Sequence, residues 1–68
     1  MQELSVRDFY GRTIGYIQVF DDGRRVALDF YRRKLGEYSP NSNNTKDFYG
    51  RIVAKGDFTA MLIQQESK

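Results

Sequence analysis

Three carboxylates, three tyrosines and a set of arginines are the side chains of this 68-residue chain with chemistry to offer, and they arrive in a repeated phrase. Asp8-Phe9-Tyr10-Gly11-Arg12 returns as Asp29-Phe30-Tyr31-Arg32-Arg33 and again as Asp47-Phe48-Tyr49-Gly50-Arg51. Two acids about 5–9 Å apart are the working pair of glycoside hydrolysis. Here, however, equivalent acids come with equivalent arginines in every copy, which is the look of copied structural pairs, and no copy is marked out as an acid of raised pKa. There is no His and no Cys, and no Ser in a nucleophile setting. The usual acid–base and nucleophilic players are therefore missing, and no enzymatic activity is expected. The same absences remove the common zinc and iron ligand sets, and no spaced acidic loop of the calcium-binding kind is present, so no metal or cofactor is expected. Binding remains. Asp8, Tyr10, Asp29, Tyr31, Asp47 and Tyr49 form a candidate face that could stack on and hydrogen-bond a carbohydrate or another polar ligand, or serve as an interface. Arg24, Arg25, Arg32, Arg33 and Lys34 are candidate anion contacts.

The elements that must position these residues are short strands. After each phrase come one residue, an aliphatic one and a small one: Thr13-Ile14-Gly15, Lys34-Leu35-Gly36 and Ile52-Val53-Ala54. A fourth, degenerate copy keeps only this half, as Gly23-Arg24-Arg25-Val26-Ala27. Strong strand formers occupy 4–10, 13–20, 25–31, 34–38, 45–49 and 52–54. Gly11-Arg12 predicts a tight two-residue turn of type II′, Gly50-Arg51 a tight turn, and Asp22-Gly23 a third hairpin. At Arg32-Arg33 arginine replaces the glycine, so a wider turn or one of another type is expected there. Residues 39–44, Ser-Pro-Asn-Ser-Asn-Asn, are the one true loop and a candidate mobile segment. Over 58–63 the rhythm of hairpins favours a seventh strand over a short helix capped by Asp57. Turn pairs beginning at 11, 23, 32 and 50 have meander spacing. The expected fold is all-β: one domain over 1–68, an antiparallel meander of six to seven short hairpin strands in a small barrel-like or flower-like arrangement. Residues 1–3 and 64–68 are expected to fray. Core candidates are Phe9, Ile14, Ile17, Val26, Leu28, Phe30, Leu35, Phe48, Val53, Phe58 and Leu62.

Composition narrows the partners. A chain this short is marginally stable alone, and without disulfides or metal the remaining staple is self-association. Val6, Tyr16, Val19, Tyr31 and Tyr49 would leave the second sheet face too apolar for a monomer, so a homo-oligomer is expected. The net charge is only +2. Its two basic clusters, Arg24-Arg25 and Arg32-Arg33-Lys34, lie at opposite ends of one predicted strand, roughly 25 Å apart. Nucleic acid is therefore a disfavoured partner. No apolar run approaches the roughly 18 residues of a membrane span. The start, Met1-Gln2-Glu3-Leu4, lacks the pattern of a secretory signal, which makes a cytoplasmic location the default expectation.

The phrase resembles two kinds of short β-repeat. Asp8 to Arg12 and Asp47 to Arg51 match the Asp-x-x-Gly-Arg core of the tyrosine-aspartate repeats of Rhs-type proteins, with Arg7 and Lys46 where that repeat has Tyr. Asp8 to Tyr16, Asp29 to Gly36 and Asp47 to Ala54 are similar to the hairpins of the four-fold β-flower family. Arg32, the Asn-rich loop and the degenerate copy at 20–28 depart from that pattern. The likeness implies hairpin architecture and adds no mechanism. The expected function is a non-enzymatic structural or protein-interaction module that self-associates. The alternatives are polar-ligand binding on the Tyr–Asp face and weak nucleic-acid binding through the arginines.

Overall fold

The computed structural model describes residues 1–66. Six strands, β1 (Gln2–Arg7), β2 (Thr13–Val19), β3 (Arg25–Asp29), β4 (Lys34–Ser39), β5 (Asn44–Asp47) and β6 (Ile52–Lys55), precede one helix, α1 (Thr59–Glu66). Each strand pairs antiparallel with the next, in the order β1-β2-β3-β4-β5-β6. This is the expected meander, but it is an open sheet with β1 and β6 as edges and does not close into a barrel. β1 starts already at Gln2, paired with Val19, and β4 and β5 extend into the expected loop, leaving 40–43 to connect them. The fraying expected at 64–68 falls partly outside the described residues; α1 itself runs to Glu66.

The seventh strand is a helix instead. Gly56, at φ 91°, turns the chain away from β6. Thr45, fully buried on β5, fixes that turn: its hydroxyl donates to the Gly56 carbonyl (2.6 Å) and accepts from the Phe58 N–H (3.0 Å). Asp57 then caps the helix, its Oδ1 accepting from the Thr59 hydroxyl at 2.6 Å and the Thr59 N–H at 3.4 Å. Arg25 on β3 holds the same carboxylate at 2.6 Å. An eight-residue helix has little stability of its own; packing makes it. Alpha1 lies across β2, β3 and β4, where Leu62 and Ile63 meet Ile17 and Ala27 to form the core. Gly15 and Gly36 are the sockets. A Cβ at Gly15 would stand 2.5 Å from Ile63 Cγ2, and one at Gly36 2.6 Å from Leu62 Cδ1. Gly15, Ala27 and Gly36, small residues of the repeat, thus receive the helix.

Of the expected core, Ile17, Leu28 and Leu62 are buried, and Ile14 and Leu35 pack partly against the cluster. Phe9, Phe30, Phe48, Val53 and Phe58 are exposed. The three phenylalanines of the repeat are not on strands at all: β1, β3 and β5 stop at or before the aspartate, so Phe and Tyr ride on the turn. The core is consequently aliphatic.

Candidate functional site

All four tight connections are the same turn. The N–H of Asp8 donates to the carbonyl of Arg12 (2.9 Å) and the N–H of Gly11 to the carbonyl of Asp8 (3.0 Å). The pattern recurs at Phe20–Arg24, Asp29–Arg33 and Asp47–Arg51. These are three-residue loops, not the two-residue type II′ turns expected from Gly-Arg. Their third residue has positive φ: Gly11, Gly23, Arg32 and Gly50. That is the left-handed residue which follows a type I turn in three-residue hairpins. Arg32, at φ 66°, adopts it without glycine's freedom. The turn type is therefore unchanged where arginine stands, and other contacts hold it. Arg32 forms an ion pair with Glu3 and its guanidinium lies 4.3 Å above the Tyr16 ring.

The aspartates build the turns. Asp8 Oδ1 accepts from the N–H groups of Tyr10 and Arg12, both at 2.9 Å, while Oδ2 accepts from Arg12 Nε at 2.9 Å. Asp47 repeats this with Tyr49 and Arg51. Asp29 accepts from the Arg33 N–H at 2.8 Å and Arg33 Nε at 2.7 Å. In the degenerate copy Phe20 takes the aspartate's place, and Asp22, two residues on, accepts from both the N–H (3.0 Å) and Nε (2.9 Å) of Arg24. Each arginine in turn covers a ring: Tyr10, Phe20, Tyr31 and Tyr49 at 5.0–5.6 Å. The backbone N–H of Arg12 is the main cause that holds the Asp8 carboxyl below its ordinary range, and those of Arg24 and Arg51 do the same for Asp22 and Asp47. At Asp29 burial pushes upward, but the bonds from Arg33 outweigh it and the carboxyl again lies low. All four stay ionised acceptors, unsuited to donating a proton at neutral pH.

Because consecutive strands are antiparallel, connections one, three and five fall at one end of the sheet. Those are the loops at 9–11, 30–32 and 48–50, the three that carry Phe-Tyr. The Asp21-Asp22-Gly23 turn lies at the opposite end beside the 40–43 loop, where Pro40 lies against Gly23. The aromatic end presents three edge-to-face pairs, Phe9–Tyr10, Phe30–Tyr31 and Phe48–Tyr49, with ring centres 5.5–5.6 Å apart. All six rings are exposed. Between the second and third tips lies a cleft of about 690 Å³ lined by Asp29, Arg33, Lys34, Leu35, Asp47, Phe48, Tyr49 and Leu62. A smaller cleft of about 330 Å³ lies between the first and second tips.

The candidate face Asp8, Tyr10, Asp29, Tyr31, Asp47 and Tyr49 is therefore brought to one end, as a row of turns and not as a strand face. The phenylalanines belong to it as well. Alternation could not reveal that; counting which connections share an end could have. The candidate anion contacts are split. Arg24 and Arg25 lie away from the aromatic end, paired with Asp22 and Asp57. Arg32, Arg33 and Lys34 lie near it, paired with Glu3, Asp29 and Glu37. No group of three or more acidic side chains suited to a metal ion occurs among the described residues. No helix among them is long and apolar enough to cross a membrane. Comparison with protein-family models, with curated proteins and with solved structures finds no match.

Proposed function

We propose that this protein is a non-enzymatic interaction module that binds protein, a second copy of itself included, through the aromatic end of its sheet. One observation carries the reading: six aromatic rings stand exposed in three alike pairs in one row. Apolar surface gathered in this way marks an interaction site, whereas scattered exposed rings do not. Aromatic side chains are also the commonest anchors of interfaces. The Asp–Arg clamps and the arginine over each tyrosine hold the tips in place before a partner arrives, so little order has to be gained on binding. The reading includes shape, a curled flower-like meander, supported by the Asp-x-x-Gly-Arg phrase and by the helix seated over the middle strands.

Sedimentation velocity over a range of concentrations tests it. The wild-type chain is expected to associate at micromolar concentration, and the triple variant Phe9→Ser, Phe30→Ser, Phe48→Ser to sediment as a folded monomer. A monomeric wild type overturns self-association. Equal association of the triple variant overturns the surface assigned to it.

A second reading, a carbohydrate or similar polar ligand, is favoured by the size of the larger cleft and by Arg33 and Lys34 lining it together with Phe48. Against it, the aspartates that would accept sugar hydroxyls already receive their turn's N–H groups and guanidinium. Chemical-shift changes at Tyr31 and Tyr49 on adding a sugar panel would favour this ligand; silence across the panel removes it.

A further inference from the structure

The clefts between neighbouring tips are one arrangement occurring twice. In the first, Asp8, Arg12, Thr13 and Ile14 of one hairpin face Phe30 of the next. In the second, Asp29, Arg33, Lys34 and Leu35 stand at the equivalent positions, and Phe48 supplies the wall. The third hairpin carries the matching half, Asp47, Arg51, Ile52 and Val53, with no tip beyond it. Ile52 and Val53 are accordingly 58% and 45% exposed. On the first hairpin, Phe9 is the tip phenylalanine at the β1 edge of the sheet, with no hairpin before it in the strand order. It is 97% exposed, against 54% for Phe30 and 61% for Phe48. So β6 offers half of a third cleft, and β1 of a second copy leads into the residue that would complete it.

Two departures from the repeat oppose that joint. Within the chain, the strand that follows each cleft sets Gly15 opposite Asp29 and Gly36 opposite Asp47. A Cβ at Gly15 would collide with the Leu28 carbonyl oxygen, and one at Gly36 with that of Lys46. These are backbone atoms and cannot swing aside. In the same register Ala54 would take the glycine's place opposite Asp8 of a second copy, and its methyl would meet the carbonyl of Arg7. One position along, the internal joints pair Tyr16 with Leu28 and Glu37 with Lys46. The third would set Lys55 against Arg7, and like charges directly opposite are destabilising.

We propose that β6 and β1 are the two halves of a head-to-tail joint fitted to a second copy of this chain, and that Ala54 and Lys55 hold it shut. A head-to-tail joint grows into rings or filaments. A methyl and a charge on an exposed edge are the kind of device that prevents this. The proposal concerns the sheet edges and stands apart from association at the aromatic end.

Hydrogen exchange of the β1 and β6 amides, followed against protein concentration, reads the joint directly. In the wild type these rates are expected not to change with concentration. In the double variant Ala54→Gly, Lys55→Glu, which restores the glycine and sets an acid against Arg7 as Glu37 faces Lys46 in β4–β5, they are expected to fall about tenfold or more as concentration rises. Ala54→Gly alone, with the native charges kept, is expected to move the same way by less. Ala54→Ser, Lys55→Glu keeps a Cβ and is expected to behave as wild type. Phe9→Ala added to the opened variant is expected to reverse most of the protection. Concentration-dependent protection of these edges in the wild type overturns the proposal, as does equal protection in the Gly and Ser variants, or glycine variants whose edges exchange as fast as the wild type.

Discussion

At the scale of single residues, Asp8, Asp22, Asp29 and Asp47 act as turn builders whose charge is needed in the folded state. Each carboxyl is held below its ordinary range by the turn amides and guanidinium it receives. A carboxyl depressed in the folded state stabilises above its unfolded pKa, and that contribution is lost as pH falls through the folded value. Stability is therefore expected to be level near neutrality and to decline below about pH 4, the ordinary range of an aspartate. Urea unfolding at stepped pH checks this. Asp29→Asn is expected to be less stable at pH 7 and to show a shallower acid decline; an acid limb as steep as that of the wild type would contradict the assignment. Arg32 makes a different prediction. Arg32→Gly frees the turn from left-handed strain but removes the Glu3 ion pair and the stack on Tyr16. Because Glu3 lies on β1, the expected outcome is faster amide exchange in β1 with little change in global stability. The sequence showed that Asp and Arg belong together in each phrase. It did not show Asp22 replacing the missing aspartate, because the replacement sits two residues along and only the folded turn places it on the same amide.

At the scale of elements, hairpin positions were readable from the Gly-Arg and Asp-Gly pairs and from Arg32-Arg33 at the same place in the phrase, and the four tight turns lie there. Loop length was not, because Gly-Arg is equally at home as the end of a three-residue loop, and that one-residue difference moves Phe-Tyr from strand to tip. Helix α1 was misjudged for a related reason. The apolar residues of 58–63, Phe58, Ala60, Met61, Leu62 and Ile63, fit neither period, and the deciding contacts, Thr45 to the Gly56 turn and the Gly15 and Gly36 sockets, come from strands distant in sequence. Two substitutions weigh these contacts. Thr45→Val leaves a buried carbonyl and N–H without their partner and is expected to cost about 1–3 kcal/mol in denaturant unfolding. Gly36→Val drives its side chain into both the Lys46 carbonyl oxygen and Leu62 and is expected to cost at least about 1–3 kcal/mol. The repeat-equivalent Ala54→Ser, on a strand outside the three that α1 lies across, should stay within about 0.5 kcal/mol of wild type. Equal losses at 36 and 54 would contradict the close approach of strand and helix assigned to Gly36.

At the scale of the whole molecule, a meander with one covering helix sorts its turns between two ends, and only one end carries Phe–Tyr pairs. The polar end has Asp21, Asp22 and the Asn-rich 40–43 loop; the other has three Phe–Tyr pairs. The division follows from connection parity acting on a phrase spelled out at connections one, three and five and truncated at connection two. The five tyrosines then provide a built-in comparison. Tyr10, Tyr31 and Tyr49 stand at the tips, Tyr16 lies under Arg32, and the Tyr38 hydroxyl bonds Asn43 at the far end of the sheet. With fluorine-labelled tyrosine, NMR spectra recorded across a concentration series test the aromatic end directly. The three tip signals are expected to shift or broaden together as concentration rises, while those of Tyr16 and Tyr38 stay in place. Movement of Tyr16 or Tyr38 with the tips unmoved, or five signals that never change, would contradict the aromatic end as the surface through which this protein associates.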